Sequence, residues 1–200
     1  MDEHLWDERY RSQDQLFSGA PNGVLVAEVT GLPPGQALDV GCGEGGDALW
    51  LARNGWYVTA VDVSRVALER AASHSETSTG AVAWIRADLT AMAPPANAFD
   101  LVSAHYFPLP RRKNHGALRG LLAAVAPGGT LLVVSHDIAG LTPDSGQGFD
   151  PSRYYQPDEI VTFLDDTWTV VANETRPRIT PAPPGTHHTH DTVLRARRKR

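Results

Sequence analysis

The stretch ALDVGCGEGGDALWL, residues 37–51, combines glycines and carboxylates in a spacing that suits ligand binding. Gly41, Gly43 and Gly45 stand between an apolar run and a helical pattern that begins at Asp47. Strand, tight turn and helix are therefore predicted. Glycines at such a turn allow positive φ angles and let a ligand lie against bare backbone, and the following helix offers unpaired N–H groups. The stretch predicts a binding site for a nucleotide-like cofactor.

The charge of this turn indicates which cofactor it suits, because the glycine spacing alone also fits a dinucleotide. Asp39 precedes the turn, Glu44 lies inside it and Asp47 opens the helix. Carboxylates at a helix N-terminus repel a pyrophosphate. S-adenosylmethionine has an ammonium, a sulfonium and no phosphate, so electrostatic complementarity favours it over a nicotinamide dinucleotide. A simple helix-capping role for Asp47 is the alternative that stays open, and Cys42 is expected to be a small filler within the turn.

Two further acids end the next predicted strands. Asp62 lies near the end of strand 57–63, about 20 residues beyond the glycine turn, where a carboxylate accepts hydrogen bonds from ribose hydroxyls. Asp88 ends strand 82–88. Strands and helices alternate through this region, which predicts an α/β fold with a Rossmann-like, doubly wound and mostly parallel sheet. Ligands bind outside the carboxyl ends of such strands, so Asp39, Asp62 and Asp88 are expected to meet at one edge.

Two histidines are predicted at the same edge. His105 follows strand 99–104, and His136 follows strand 131–135. Histidine is suited to proton transfer near neutral pH. A general base or a substrate-orienting group is therefore one interpretation, and a polar, partly exposed surface position is the other.

The sequence HHTHD, residues 187–191, is the most unusual local composition in the chain. It opens a predicted last strand that should pair antiparallel with its predecessor and start beside the ligand edge. On a strand, His188 and His190 would share one face, while His187 and Asp191 would share the other. Three interpretations stay open: a polar turn, a general base or orienting role, and a metal site, which would need more ligands than one strand face supplies.

The residues before the first strand are expected to form a cap on this core. Two short helices are predicted there. Tyr10 and Phe17 are expected either to cover the cofactor as part of a lid or to anchor the segment to the core. One domain is predicted over 1–200, with the helical lid or cap at 1–35 and the Rossmann-like core at 36–200.

Composition limits the classes of function. With 200 residues, 42% of them hydrophobic, the chain can bury a sizeable core. Its net charge of -5 gives no reason to expect nucleic-acid binding, and the basic run 195–200 is expected to be a solvated terminus. A single cysteine excludes an internal disulfide and fits a reducing compartment. Since long apolar runs and a signal pattern are not evident, a cytoplasmic protein with no membrane partner is expected.

Together the motifs resemble a class I S-adenosylmethionine-dependent methyltransferase over residues 37–197. The resemblance is carried by ALDVGCGEG, VDVS, RADL, FDLVSAHY and APGGTLLVV. It implies five parallel strands, then a sixth and an antiparallel seventh. It also implies contacts with the methionine, ribose and adenine parts of the cofactor, for which the candidates are Asp39, Gly41, Cys42, Gly43, Asp62, Val63, Ala87 (through its backbone), Asp88, Leu89 and Ser103, with Tyr10 and Phe17 from the cap.

The opening WDERY and the turn GCGEG resemble, more narrowly, the small-molecule branch that includes thiopurine and tellurite methyltransferases. That resemblance implies a small-molecule acceptor, with a thiol or chalcogen preferred over an oxygen or nitrogen acceptor. A nicotinamide-dependent oxidoreductase and a non-catalytic binder of the cofactor are the alternatives, which cofactor competition and turnover would distinguish. The candidate catalytic residues are His105, His136, His188 and His190, and the candidates for holding an anionic acceptor are Arg111, Arg112 and Arg153.

Overall fold

The computed structural model describes residues 2–75, 81–138, 150–180 and 188–200. The strands in these ranges are β1 Gln36–Val40, β2 Tyr57–Asp62, β3 Val82–Arg86, β4 Phe99–His105, β5 Val125–His136, β6 Trp168–Pro177 and β7 His190–Arg198. The α-helices are α1 Glu3–Arg11, α2 Gly23–Val29, α3 Gly46–Arg53, α4 Arg65–Ser75, α5 Gly116–Ala124 and α6 Pro157–Ile160. Across the described ranges, none of the helices is long and apolar enough to cross a membrane.

The seven strands form one sheet in the order β3-β2-β1-β4-β5-β7-β6. Strands β1 to β5 are parallel, and β7 runs antiparallel to both β5 and β6. The predicted Rossmann-like α/β fold with an antiparallel seventh strand is therefore confirmed. The strand order reverses between β1 and β4, which is the switch point where open α/β sheets bind ligands.

The two faces of the sheet pack against different helices, because side chains alternate along each strand. Leu38 and Val102 belong to the core cluster that includes α5 and α6, whereas Ala37 and Leu101 belong to the cluster that includes α2 and α3. The same alternation assigns five polar residues near the ligand edge to the α2–α3 face: Asp39, Ser103, His105, His136 and Asp191.

Helix α1 docks on α4 through a buried carboxylate. Asp7 accepts hydrogen bonds from the hydroxyl of Ser64 at 2.6 Å and from the N–H of Val66 at 3.3 Å. The hydroxyl of Ser64 in turn accepts from the N–H of Ala67 at 3.2 Å, so Ser64 caps α4. These bonds satisfy N–H groups that the start of a helix leaves unpaired, and they attach the amino-terminal segment to the core.

Two strands are longer than their patterns predict. β5 begins at Val125, six residues before the predicted strand 131–135, because Val125 already pairs with Phe99 across a register irregularity. β6 continues to Pro177 because it pairs with β7 as far as His190. Pairing with neighbouring strands determines where β5 begins and where β6 ends, and the local sequence alone does not predict this pairing.

Residues 195–198 of the basic run are part of β7, whereas the side chains of Arg197, Lys199 and Arg200 are exposed, so the prediction of a solvated terminus holds for those three side chains and not for the backbone of 195–198. Arg195 forms an ion pair with Glu28 in α2. Arg198 donates to the carbonyl of Val125 at 2.6 Å. These bonds hold the side chains of Arg195 and Arg198 against the fold.

Candidate active site

The turn between β1 and α3 has the backbone that its glycines predict. Gly41, Gly43 and Gly45 have φ angles of 69°, 53° and 86°, in the left-handed region that favours glycine. The N–H groups of Gly41 and Cys42 both donate to the carbonyl of Val61, at 2.8 and 3.1 Å. The turn is therefore fixed to the neighbouring strand β2.

Asp62 supports the same turn from the end of β2. One carboxylate oxygen accepts from the N–H of Gly43 at 2.9 Å, and the other accepts from the N–H of Ser64 at 2.8 Å. Burial raises the pKa of Asp62 despite these N–H groups. Each oxygen has a second lone pair, so a ribose contact is compatible with this arrangement and stays a prediction.

Three neighbouring side chains on the α2–α3 face have polar atoms that need partners. Asp39 pairs directly with Ser103 between β1 and β4, and His105 follows two residues later on the same face. Among the residues that the structure describes, the buried Oδ2 of Asp39, Oγ of Ser103 and both ring nitrogens of His105 have no hydrogen-bond partner. An unpaired buried polar group costs about 1–3 kcal/mol. Three of them together indicate a site built for a polar ligand.

Burial also sets the charge of these groups. Burial, together with the nearby carboxylates of Asp47 and Asp62, raises the pKa of Asp39 well above its ordinary value. Burial lowers the pKa of His105, so its imidazole is neutral at pH 7 and one ring nitrogen keeps a lone pair. Burial raises the pKa of the Cys42 thiol as well, which disfavours the reactive thiolate. A cation bound beside Asp39 would favour its ionised form.

Glu44 and Asp47, which are predicted to attract a cationic cofactor, bind the protein itself instead. Glu44 accepts from the N–H of Phe17 at 2.9 Å and pairs with Arg70 at 2.8 Å. Asp47 accepts from the N–H and the side-chain amide of Asn22, at 2.6 and 2.8 Å, rather than capping α3. Both partnerships join residues far apart in sequence, so the spacing of the turn could not reveal them.

Aromatic side chains cover the glycine turn. A Cβ atom placed on Gly43 would lie 2.9 Å from the hydroxyl of Tyr10 and 3.9 Å from the ring of Phe17. A Cβ atom on Gly41 would lie 2.6 Å from the ring of Phe107, which follows β4. The structure thus brings both predicted cap residues to the turn and adds Phe107, so only glycine fits between backbone and rings.

The remaining residues predicted to contact the cofactor follow the ends of β2 and β3. Val63 follows β2 directly, and Leu89 is buried in the core cluster of α5 and α6. The N–H of Ala87 donates to the carbonyl of Asp62 at the end of β2 at 3.1 Å. Asp88 accepts from the N–H and the hydroxyl of Thr90, at 2.8 and 2.6 Å. Contacts of these residues with a cofactor stay predictions.

Five further side chains at the same edge form what we call the histidine–arginine cluster: Tyr106, His136, Arg178, His188 and Asp191. Tyr106 and His188 stack on His136, with ring centroids at 4.2 and 4.1 Å and interplanar angles of 23° and 7°. Nη1 of Arg178 donates to Oδ1 of Asp191 at 3.1 Å and lies 3.0 Å from Nδ1 of His136. The hydroxyl of Tyr106 donates to the same Oδ1 at 3.1 Å. The cluster combines an aromatic stack with a buried ion pair.

The predicted grouping of His188 with His190 was wrong. β7 begins at His190, so the alternation of a strand does not reach back to His188. His188 stacks in the cluster that contains Asp191, whereas His190 is exposed and its Nδ1 lies 2.9 Å from the hydroxyl of Thr189. His187 lies outside the described residues.

Three of the four candidate catalytic histidines come together. The ring of His105 lies 6.3 Å from that of Tyr106, centroid to centroid, so the unpaired groups of β1 and β4 adjoin the histidine–arginine cluster. His136 and His188 belong to that cluster, and His190 stands apart. In the part of the chain that the structure describes, no group of three or more His, Cys, Asp or Glu side chains is placed to hold a metal ion.

Arg178 supplies a cation to the histidine–arginine cluster. The arginines predicted from the sequence are Arg111, Arg112 and Arg153 instead. Arg111 pairs with Glu159 at 2.7 Å and donates to the carbonyl of Ser152 at 3.1 Å, so it ties the segment after β4 to α6. Arg178 stands in a proline-rich stretch without periodic pattern. Its position directly after the sixth strand is the one signal that could have identified it.

Known proteins share both sequence and fold with this chain. A family described as a methyltransferase domain matches residues 37–129, slightly less than half of the chain. An uncharacterized methyltransferase of Mycobacterium tuberculosis is 39% identical over 98 residues, which are 49% of each chain. A 2-heptyl-1-hydroxyquinolin-4(1H)-one methyltransferase of Mycobacteroides abscessus is 27% identical over 139 residues, 68% of this chain and 60% of that one. The matched region thus spans about half of the first relative and three fifths of the second.

A solved structure covers nearly the whole fold. The N-methyltransferase NodS of Bradyrhizobium japonicum, solved in complex with S-adenosyl-L-homocysteine, matches 98% of this chain and 99% of its own with a TM-score of 0.73 at 20% identity. At this identity the likeness shows the fold. The family match coincides with β1, the glycine turn and the strands that carry the unpaired groups. The chain thus resembles the class I S-adenosylmethionine-dependent methyltransferases in the sequence of this region and in its fold.

Proposed function

We propose that this chain binds S-adenosylmethionine at the glycine turn and methylates a small-molecule acceptor. The observation that carries the proposal is the set of buried, unpaired polar groups of Asp39, Ser103 and His105 beside the switch point of the sheet. A carboxylate and a hydroxyl at that place suit the ammonium and carboxylate of an amino acid. The NodS complex with S-adenosyl-L-homocysteine supports the same ligand class for this fold.

When bound, S-adenosylmethionine supplies a methyl group on an electron-poor sulfonium. The residues of the chain contribute positioning and the exclusion of water. Asp39 would hold the ammonium of this cofactor, and Tyr10 and Phe107 would keep water from the glycine turn. His105 is neutral through burial and takes the proton of an acceptor that is not already ionised.

The preferred acceptor atom is the sulfur of a thiol or another chalcogen, and an oxygen acceptor is the second candidate. A thiol has a pKa of about 8.5, so part of it is already anionic near neutral pH and the demand on a base is small. The hydroxyquinolone in the name of the Mycobacteroides abscessus relative favours a planar, hydroxylated acceptor as the alternative.

Replacing Asp39 tests the cofactor site. Asp39→Asn keeps the shape of the side chain and removes its charge, so S-adenosyl-L-homocysteine should bind roughly 10- to 100-fold more weakly, as expected for a hydrogen bond to a charged group. Isothermal titration calorimetry measures this affinity. Glu69→Gln removes a carboxylate from the exposed surface of α4 and should bind like the wild type. Equal affinities for Asp39→Asn and the wild type would refute this site.

Turnover identifies the acceptor. Labelled methyl transfer from S-adenosylmethionine is measured with small thiols, selenite, tellurite, phenols and amines. Turnover of thiols or chalcogens supports the preferred acceptor, and turnover of phenols supports the second candidate. Binding of S-adenosyl-L-homocysteine without turnover of any compound would favour a non-catalytic binder and contradict the proposal.

A further inference from the structure

We infer that His136 is a hydrogen-bond donor that positions an anionic acceptor, and that it is not the base. This inference rests on the proposed function and concerns the chemical class of its acceptor. It starts from the contact between His136 and Arg178, because a guanidinium can only donate hydrogen bonds.

The contact with Arg178 fixes the position of the imidazole proton. Nη1 of Arg178 carries two N–H groups and, among the described residues, lies within hydrogen-bond distance of Oδ1 of Asp191 at 3.1 Å and Nδ1 of His136 at 3.0 Å. Nδ1 must therefore accept, since a proton on it would set two donors against each other. The alternative, donation from Nδ1 to Oδ1 of Asp191, would span 3.8 Å, which is longer than the 3.0 Å contact with Arg178 and beyond ordinary hydrogen-bond length. A neutral imidazole that accepts at Nδ1 carries its proton on Nε2.

The surroundings of the ring direct this N–H outward. Tyr106 and His188 stack on His136 at centroid distances of 4.2 and 4.1 Å, and both cannot occupy one face, so the two faces are covered. The edge with Nδ1 meets Arg178 and Asp191, whose side chains are 8% and 2% exposed. The side chain of His136 itself is 33% exposed. Since both faces and the Nδ1 edge are covered, the exposed part of the side chain is assigned to the opposite edge, which carries Nε2.

An N–H donor at this place selects among acceptors. A thiolate or phenolate has several lone pairs and can accept from Nε2 while another pair attacks the methyl group. A neutral amine has one lone pair, and a hydrogen bond from Nε2 would occupy the pair that must react. His136 therefore favours anionic sulfur or oxygen over amines. The proton of an acceptor goes to His105, whose ring nitrogens have no partner among the described residues.

Nitrogen NMR tests the position of the proton without cofactor or acceptor. The ¹⁵N shifts of an imidazole distinguish a protonated from an unprotonated ring nitrogen, and the signals lost in His136→Phe identify His136. We expect Nε2 to be protonated and Nδ1 unprotonated at pH 7.5. A proton on Nδ1 would overturn the inference. Since this readout is independent of methyl transfer, its failure is distinct from a failure of the proposed function, which calorimetry with S-adenosyl-L-homocysteine detects.

Two substitutions separate the donor from the stacked ring. His136→Phe keeps an aromatic ring between Tyr106 and His188 and removes the N–H, whereas His136→Gln keeps an amide N–H near the place of Nε2 and removes the ring. With thiophenol and phenol, kcat/KM should fall about 10- to 100-fold in His136→Phe and stay within about threefold in His136→Gln. If the ring of His136 had only a structural role, kcat/KM would fall more in His136→Gln than in His136→Phe.

Matched acceptors complete the test. Thiophenol, phenol and aniline share one ring and differ in the reacting atom. Turnover of thiophenol or phenol above that of aniline supports the inference and shows whether sulfur or oxygen is preferred. Preference for aniline, or no turnover of the two anionic acceptors by a wild-type protein that binds S-adenosyl-L-homocysteine, would overturn it.

Discussion

At the scale of single residues, the burial of His105 couples stability to pH. Burial lowers the pKa of His105 in the folded chain, whereas unfolding restores a value of about 6.5. As the pH falls below that value, the unfolded chain takes up a proton that the folded chain does not. The contribution of His105 to stability is therefore complete above about pH 6.5 and is lost as the pH falls toward the folded-state pKa.

Replacing His105 by a residue that does not titrate should flatten this dependence. His105→Phe removes the proton uptake on unfolding, so its free energy of unfolding should fall less than that of the wild type between pH 7.5 and 5.5. Chemical denaturation at several pH values measures the two slopes. The raised pKa values of Asp39 and Asp62 act in both proteins, so they cancel in the comparison. Parallel slopes would contradict the role of His105.

Residue types at strand ends could be predicted, but their partners could not. Asp39, Ser103 and His105 follow from the positions at which β1 and β4 stop, and strand periodicity assigns them to one face. The partners of Glu44 come from α4 and from the segment before α2, at sequence distances that no local pattern spans. Arg178 was not identified from the sequence, because the proline-rich stretch around it has no periodic hydrophobic pattern.

At the scale of elements, the amino-terminal segment and the glycine turn form one unit. Glu44 in the turn accepts from the N–H groups of Leu16 and Phe17, at 3.1 and 2.9 Å, and pairs with Arg70 of α4. The carboxylate lies between three donors and is buried. Any movement of the segment that carries Tyr10 and Phe17 must therefore break hydrogen bonds inside the turn.

Glu44→Gln should loosen the segment without unfolding the core. The amide keeps one acceptor oxygen and loses the charge, so local stability should fall by about 1–3 kcal/mol. Hydrogen exchange at the amides of Leu16 and Phe17 should accelerate, whereas amides of β1 and β4 should exchange as before. Glu69→Gln removes an exposed i,i+4 pair of α4 and should leave the segment unchanged. Unchanged exchange at Leu16 and Phe17 in Glu44→Gln would refute this link.

At the scale of the whole molecule, an ion-pair network joins the beginning of the fold to its end. Glu28 of α2 pairs with Arg176 of β6 at 2.5 Å and with Arg195 of β7 at 3.2 Å. The side chain of Glu28 is 12% exposed. Removing a charge from such a partly buried network leaves its partners uncompensated, so Glu28 holds the last two strands against α2.

Glu28→Gln should destabilise the whole fold. Because Arg176 and Arg195 retain about a quarter of their exposure to solvent, the expected loss is about 2 kcal/mol, below the range for fully buried pairs. This corresponds to a decrease in Tm of about 4–8 °C for a chain of this size. Glu174→Gln removes the exposed partner of the same Arg176 and should cost less than about 1 kcal/mol. Equal Tm values for the two variants would contradict the network.

The fold as a whole was more predictable than its site. Hydrophobic patterns and glycine turns locate the strands, and the motif resemblance implies their number and the reversal of the last one. The lengths of β5 and β6, and the inclusion of basic residues in β7, depend on pairing across the sheet. The paired residues lie far apart in the chain, so a short stretch of sequence does not reveal the stabilisation that their pairing provides.

The position of β7 between β5 and β6 has a consequence for synthesis on the ribosome. β6 is made before β7, yet its neighbour in the sheet is β7 and not β5. Until residues 190–198 leave the exit tunnel, β5 and β6 each expose an unpaired edge, which nascent chains must protect from aggregation. The glycine turn can form earlier, but Asp191 reaches Arg178 and Tyr106 only at this last step. The histidine–arginine cluster therefore cannot be completed before β7 has been made, whereas the segments that form the glycine turn are made earlier.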